Sequence, residues 1–117
     1  MKILIVDDEL LIRKSLLRVF TSLGHSCDEA INGVDAIKKI NEFNFDVVVL
    51  DVIMPEKSGY EVLLEVKKNV PFFIISAFTG DNTIVGYIQS DPRVLDYIKK
   101  PFENVFEVAN LMLEKLK

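Results

Sequence analysis

Asp46-Val47-Val48-Val49-Leu50-Asp51, running on into Val52-Ile53-Met54-Pro55, is the stretch on which the fold turns. An unbroken β-branched run has no polar face to turn toward water, so Asp46–Leu50 reads as a strand buried on both sides, as in the middle of a parallel sheet. Asp51 then falls at its carboxyl end. Downstream, Met54-Pro55-Glu56-Lys57-Ser58-Gly59 is a loop. A helix follows with Val62, Leu63 and Val66 on its core side, and Pro71 is expected to close it. Upstream, Asn32 can cap a helix in which Val34, Ile37 and Ile40 are expected to face inward.

The same alternation extends to both ends. Lys2–Val6 reads as a strand, and Ile12, Leu16, Val19, Phe20 and Leu23 then recur on one helical face until Gly24 stops it. Ser26–Glu29 is a weaker second strand, Phe72–Ser76 a fourth and Val94–Ile98 a short fifth. Val105, Phe106, Ala109, Met112, Leu113 and Leu116 line a last amphipathic helix. Between Phe78 and Arg93, Gly80, Gly86 and Pro92 leave only about Thr83–Gln89 for a fourth helix. Alternating short strands and helices with right-handed crossovers predict a doubly wound α/β sheet with helices on both faces, one domain over residues 1–117.

Composition narrows the function. The chain has 117 residues, half of them hydrophobic and 27% charged, ordinary values for one globular core. No apolar run approaches the ~20 residues of a membrane span, and Met1–Val6 leads into acids rather than a cleavage site, so neither membrane insertion nor a leader is expected. Cys27 has no partner for an internal disulfide, which suits a reducing, cytoplasmic setting, and it reads as a half-buried strand residue rather than a reactive thiol. A net charge of −4 without a basic cluster argues against direct nucleic-acid binding.

Ligands of open α/β sheets bind beyond the carboxyl ends of the strands. Here those ends carry Asp7-Asp8, Asp51, Ser76 and Lys99-Lys100-Pro101. Carboxylates gathered at one spot repel, and a cation resolves the repulsion. All-oxygen donors without a His or Cys cluster point to Mg²⁺ or Mn²⁺ rather than zinc. Alternation along strand five allows only one of Lys99 and Lys100 into the site, and Lys100 would supply the second positive charge. With Asp51 as nucleophile this set suits phosphoryl transfer. Helix capping would account for Asp7 or Asp8 singly, but for neither the pair nor Asp51.

These residues resemble the receiver domain of two-component response regulators. The likeness lies in Ile3-Leu4-Ile5-Val6-Asp7-Asp8-Glu9, Glu29-Ala30-Ile31-Asn32-Gly33, Val49-Leu50-Asp51-Val52-Ile53-Met54-Pro55 with Gly59, Ile75-Ser76-Ala77, and Tyr97-Ile98-Lys99-Lys100-Pro101-Phe102. The resemblance implies a flavodoxin-like, three-layer sandwich with strand order 2-1-3-4-5. It implies that Asp51 accepts a phosphoryl group from a sensor histidine kinase or histidine phosphotransfer protein. Mg²⁺ would be held by Asp8, Asp51 and the Ile53 backbone carbonyl, with Asp7 acting through water. Lys100 would pair with the phosphoryl oxygens, Ser76 would hydrogen-bond them, and Tyr97 would rotate inward. The Lys100–Pro101 peptide would be cis, aiming Lys100 into the cleft.

Two features depart from the family pattern: the Ser76-to-Tyr97 spacing is slightly long, and Ser90-Asp91-Pro92-Arg93 stands where Gly-Ala is usual, so a short or shifted fourth helix is expected. In this family Ile53 and Phe78 would flank the path of hydrolytic water. Both are apolar, which implies slow self-dephosphorylation. Leu10, Leu11 and Leu17 lie off the core stripe and are candidates for kinase docking; His25 reads as a surface turn residue. The rival readings are a haloacid-dehalogenase-type phosphatase, which would use Asp7-x-Glu9 and leave Asp51 idle, and an interaction module that is never phosphorylated. The chain stops soon after the last helix, so no output domain is expected within it.

Overall fold

A computed structural model describes residues 1–77 and 82–117. Along the chain run β1 (Lys2–Val6), α1 (Leu10–Ser22), β2 (Ser26–Ala30), α2 (Gly33–Glu42), β3 (Val47–Asp51), α3 (Gly59–Glu65), β4 (Phe72–Ser76), α4 (Asn82–Ser90), β5 (Val94–Lys99) and α5 (Val105–Lys115). The strands form one parallel sheet in the order β2-β1-β3-β4-β5. The direction of winding reverses between β1 and β3, the place where such sheets bind ligands.

Side chains alternate across the sheet and build two cores. Leu4, Val6, Val48, Leu50, Phe72 and Ile74 face Ala36, Ile40, Val62, Leu63, Val66 and Ile88 of α2, α3, its following turn and α4. Ile3, Ile5, Val47, Val49, Phe73 and Ile75 face Leu16, Phe20, Ala109 and Met112 of α1 and α5. All five residues of β3 are buried, as expected of a strand covered on both faces. Cys27 lies half-buried on β2, and burial pushes its thiol pKa up.

Several element readings are corrected. Val34 and Phe106 are exposed. The inward stripe of α2 runs instead through Gly33, Ala36 and Ile40, small residues that a search for bulky side chains passes over. Leu17, expected off the core stripe, packs against the α1–α5 core. α3 ends at Glu65, well before Pro71. Arg93 binds carbonyls in and just beyond the last turn of this helix: Nη1 donates to Val66 O at 2.6 Å and Lys68 O at 3.1 Å, and Nη2 to Leu63 O at 2.7 Å. Asp91 orients the guanidinium through a 2.7 Å ion pair. The unfamiliar Asp91-Pro92-Arg93 turn thus latches the start of β5 onto α3.

Candidate metal centre

The acids of the centre stand at or just beyond the carboxyl ends of two buried strands. β1 delivers Asp7, fully buried, and Asp8, exposed at the rim; β3 delivers Asp51, nearly buried. One carboxylate oxygen from each lies within 4.8 Å of the others. Asp7 is fixed by its backbone N–H on Ala30 O at 3.2 Å and by its Oδ1, which accepts from Glu9 N at 2.8 Å.

Asp51 is positioned by the β3–α3 loop. Gly59 N–H donates to Val52 O at 2.8 Å, and a Cβ on Gly59 would stand 2.3 Å from the Asp51 carbonyl oxygen, so only glycine lets the helix start this close. Ser58 begins α3 with a capping box, its hydroxyl accepting from Glu61 N and Glu61 accepting from Ser58 N, both at 3.2 Å. Glu56, within the same loop, takes a left-handed φ of 67°.

Lys100 arrives from the end of β5, where its N–H donates to Ser76 O at 2.9 Å, and the Lys100–Pro101 peptide is cis. Its side chain is 6% exposed, and Nζ lies 2.6 Å from Asp7 Oδ2, 3.1 Å from Glu9 Oε1 and 3.3 Å from Asp51 Oδ2. The closest of these contacts, to Asp7 Oδ2, is a buried ion pair. Lys99 is exposed, as strand alternation requires.

One ammonium does not balance this much negative charge. Burial, then the Asp7 charge, pushes the Asp51 carboxyl up to about 7 against the pull of Lys100. Asp7 is raised by burial as well. Burial works against the charge on Lys100, yet Asp7 and Asp51 together hold its pKa above the ordinary lysine value. A compact cluster of hard oxygen donors from three carboxylates, with more negative charge than one ammonium balances, fits a small divalent cation of the Mg²⁺ type.

The other expected site residues fall nearby. Ser76 is fully buried at the end of β4, next to the strand that carries Asp51. Tyr97 is half-buried on β5 against the α2–α3 core. Ile53 is 55% exposed just after Asp51. Phe78 lies outside the described residues. Leu10 and Leu11 are exposed at the start of α1, beside the acidic turn. Sequence reasoning missed Glu9 as a partner of Lys100, and missed Arg13, whose Nη1 donates to the Asp7 carbonyl at 2.9 Å. Adjacency to Asp8 was a usable signal for Glu9, whereas Arg13 reaches the site only through the turn of α1.

The model of the response regulator receiver domain matches residues 3–109, so the chain belongs to the response regulator receiver domain family. The chain is 34% identical over 113 residues to response regulator RR06 of Streptococcus pneumoniae, covering 95% of this chain and 51% of that protein. It is 32% identical to the chemotaxis protein CheY of Thermotoga maritima, covering 93% of this chain and 94% of CheY. The crystal structure of response regulator TrrA of Thermotoga maritima, in complex with Mg²⁺-BeF, superposes with a TM-score of 0.78 at 33% identity over 99% of this chain and 98% of TrrA. The chain spans about half the length, or less, of several curated relatives that it matches. Among the described residues no helix is long and apolar enough to cross a membrane.

Proposed function

We propose that residues 1–117 form one receiver domain acting in the cytoplasm as a phosphorylation-driven switch, with Asp51 accepting a phosphoryl group from a histidine kinase or histidine phosphotransfer protein. The observation that carries this reading is the convergence of Asp7, Asp8 and Asp51 within 4.8 Å, with the Lys100 ammonium 3.3 Å from Asp51. Asp8, Asp51 and the Ile53 carbonyl would hold Mg²⁺, with Asp7 acting through water. When bound, the ion supplies positive charge for the phosphoryl oxygens.

The chain's own residues do the rest. An Asp51 oxygen attacks phosphorus as the P–N bond to the donor imidazole breaks; the bond's electron pair leaves with the nitrogen, which takes a proton. Lys100, already beside Asp51, neutralises charge on the transferred group without having to be recruited. Ser76 and Tyr97 are proposed to report the change. A shift from ~1% to ~99% active needs ~5.5 kcal/mol of differential interaction, within reach of a charged lysine pair, a serine hydrogen bond and aromatic burial combined. A phosphatase built on Asp7-x-Glu9 fits less well, because Asp7 is tied to Lys100 while the Glu9 side chain is 60% exposed.

Incubation with MgCl₂ and acetyl phosphate, followed by intact-mass measurement, tests the proposal: one phosphoryl adduct is expected, and Asp51→Asn should abolish it. An adduct that survives in Asp51→Asn would overturn the assignment. Ile53 and Phe78 are proposed to keep water undirected, so Ile53→Asn combined with Phe78→Glu should shorten the phosphoprotein's lifetime.

A further inference from the structure

We propose that Arg13 is a positioning residue for the Asp7–Asp8 turn, and through it for the metal ligands; this rests on the receiver reading above. The turn needs such a fastening. Glu9 is the N-cap of α1 but makes no side-chain cap, and the first turn of α1 carries no acid. An uncapped helix start leaves its N–H groups unanchored and its entry angle loosely set. Asp8, exposed at this turn, is the ligand with the least support of its own.

Arg13 supplies the missing bracket. Its backbone N–H donates to Glu9 O at 3.1 Å in the first turn of α1, while Nη1 donates to the Asp7 carbonyl at 2.9 Å. Nε donates to Glu29 Oε1 at 3.2 Å, fixing the guanidinium against β2. Glu29 is held in turn by Lys14 Nζ at 2.8 Å, and these cations, Lys14 first, draw its carboxyl pKa down. The Arg13 side chain is only 11% exposed. The planar fork therefore ties α1, the end of β1 and β2 into one unit immediately behind the acids. It grips the Asp7 main chain, leaving the carboxylate to Lys100.

Arg13 could instead act merely as a nearby positive charge, and the two roles differ in sign. Removing a cation close to a divalent-metal site strengthens metal binding, whereas releasing the turn that presents the ligands weakens it. Residues that orient metal ligands typically change affinity by ~10–100-fold when lost. MgCl₂ titration of ¹⁵N-labelled protein, followed by amide shifts around Asp51, reads both the dissociation constant and the integrity of the fold. Arg13→Met should weaken Mg²⁺ binding by roughly tenfold. Arg13→Lys, which keeps the charge but loses the fork, should also weaken it, and Arg18→Met, which removes an exposed cation further along α1, should leave it nearly unchanged. If Arg13→Met does not fold, Arg13→Lys decides, because it keeps the charge and a mere charge role would leave binding unchanged. Unchanged or tighter binding in Arg13→Met, or in Arg13→Lys where that variant stands in, overturns the positioning role. Failure of the wild-type protein to bind Mg²⁺ would instead overturn the receiver reading on which it rests.

Discussion

At the scale of single residues, the Asp51 carboxylate is held in a place that disfavours its charge, which makes the site receptive to a cation. Without metal its folded-state pKa is raised from 3.8 to about 7. The folded protein therefore binds more protons than the unfolded chain between those values. Stability falls as pH rises through that window and levels off above it. Asp51→Asn cannot ionise, so in EDTA it should be more stable than wild type near pH 8, with the advantage vanishing toward pH 4. Urea midpoints measure this, and equal differences at both ends would refute it. Asp7, Asp51 and Lys100 were legible in the sequence because a polar residue ending a buried run has one place to go. Glu9 and Arg13 were not, because their contacts depend on how the first turn of α1 closes rather than on any run of residues.

At the scale of elements, glycine and arginine set positions that hydrophobic periodicity does not reveal. Replacing Gly59 by alanine at a helix start would ordinarily favour the helix. Here the new Cβ would meet Asp51 O at 2.3 Å and Val52 Cα at 3.0 Å, both backbone atoms that cannot swing aside. Gly59→Ala should therefore destabilise the fold by about 1–3 kcal/mol and weaken Mg²⁺ binding, because relieving the clash shifts the loop behind Asp51. Thermal unfolding and metal titration give the two readouts. Arg93→Met should cost about 2–4 kcal/mol, since it strips charged donors from the Leu63, Val66 and Lys68 carbonyls, and amide exchange in the last turn of α3 should quicken. The strands were legible nearly to the residue, whereas the end of α3 was not. Pro71 was an available stop signal, but the carbonyls are taken by Arg93, 25 to 30 positions further along the chain and beyond the reach of any local rule about helix ends. Val34 was misread because Gly33 and Ala36, not larger residues, mark the face of α2 that packs closely.

At the scale of the whole molecule, the sheet divides two cores, and its β1–β3 switch point gathers charge that neither core can accept. The site is thus held together by the fold while its excess negative charge works against the fold. A ligand that binds the folded state and relieves that charge must stabilise the entire domain by mass action. At Mg²⁺ about 100-fold above its dissociation constant the gain is ~2.7 kcal/mol, on the order of 10 °C in melting temperature for a domain of this size. The increment should follow the logarithm of free Mg²⁺ once the site is saturated, and NaCl at matched ionic strength should not reproduce it. Asp51→Asn should shrink the Mg²⁺ shift in the same scans, because it removes both a proposed ligand and much of the repulsion that a cation would relieve. A shift of equal size from NaCl would mean that general screening of the −4 net charge, rather than occupation of one site, stabilises the protein.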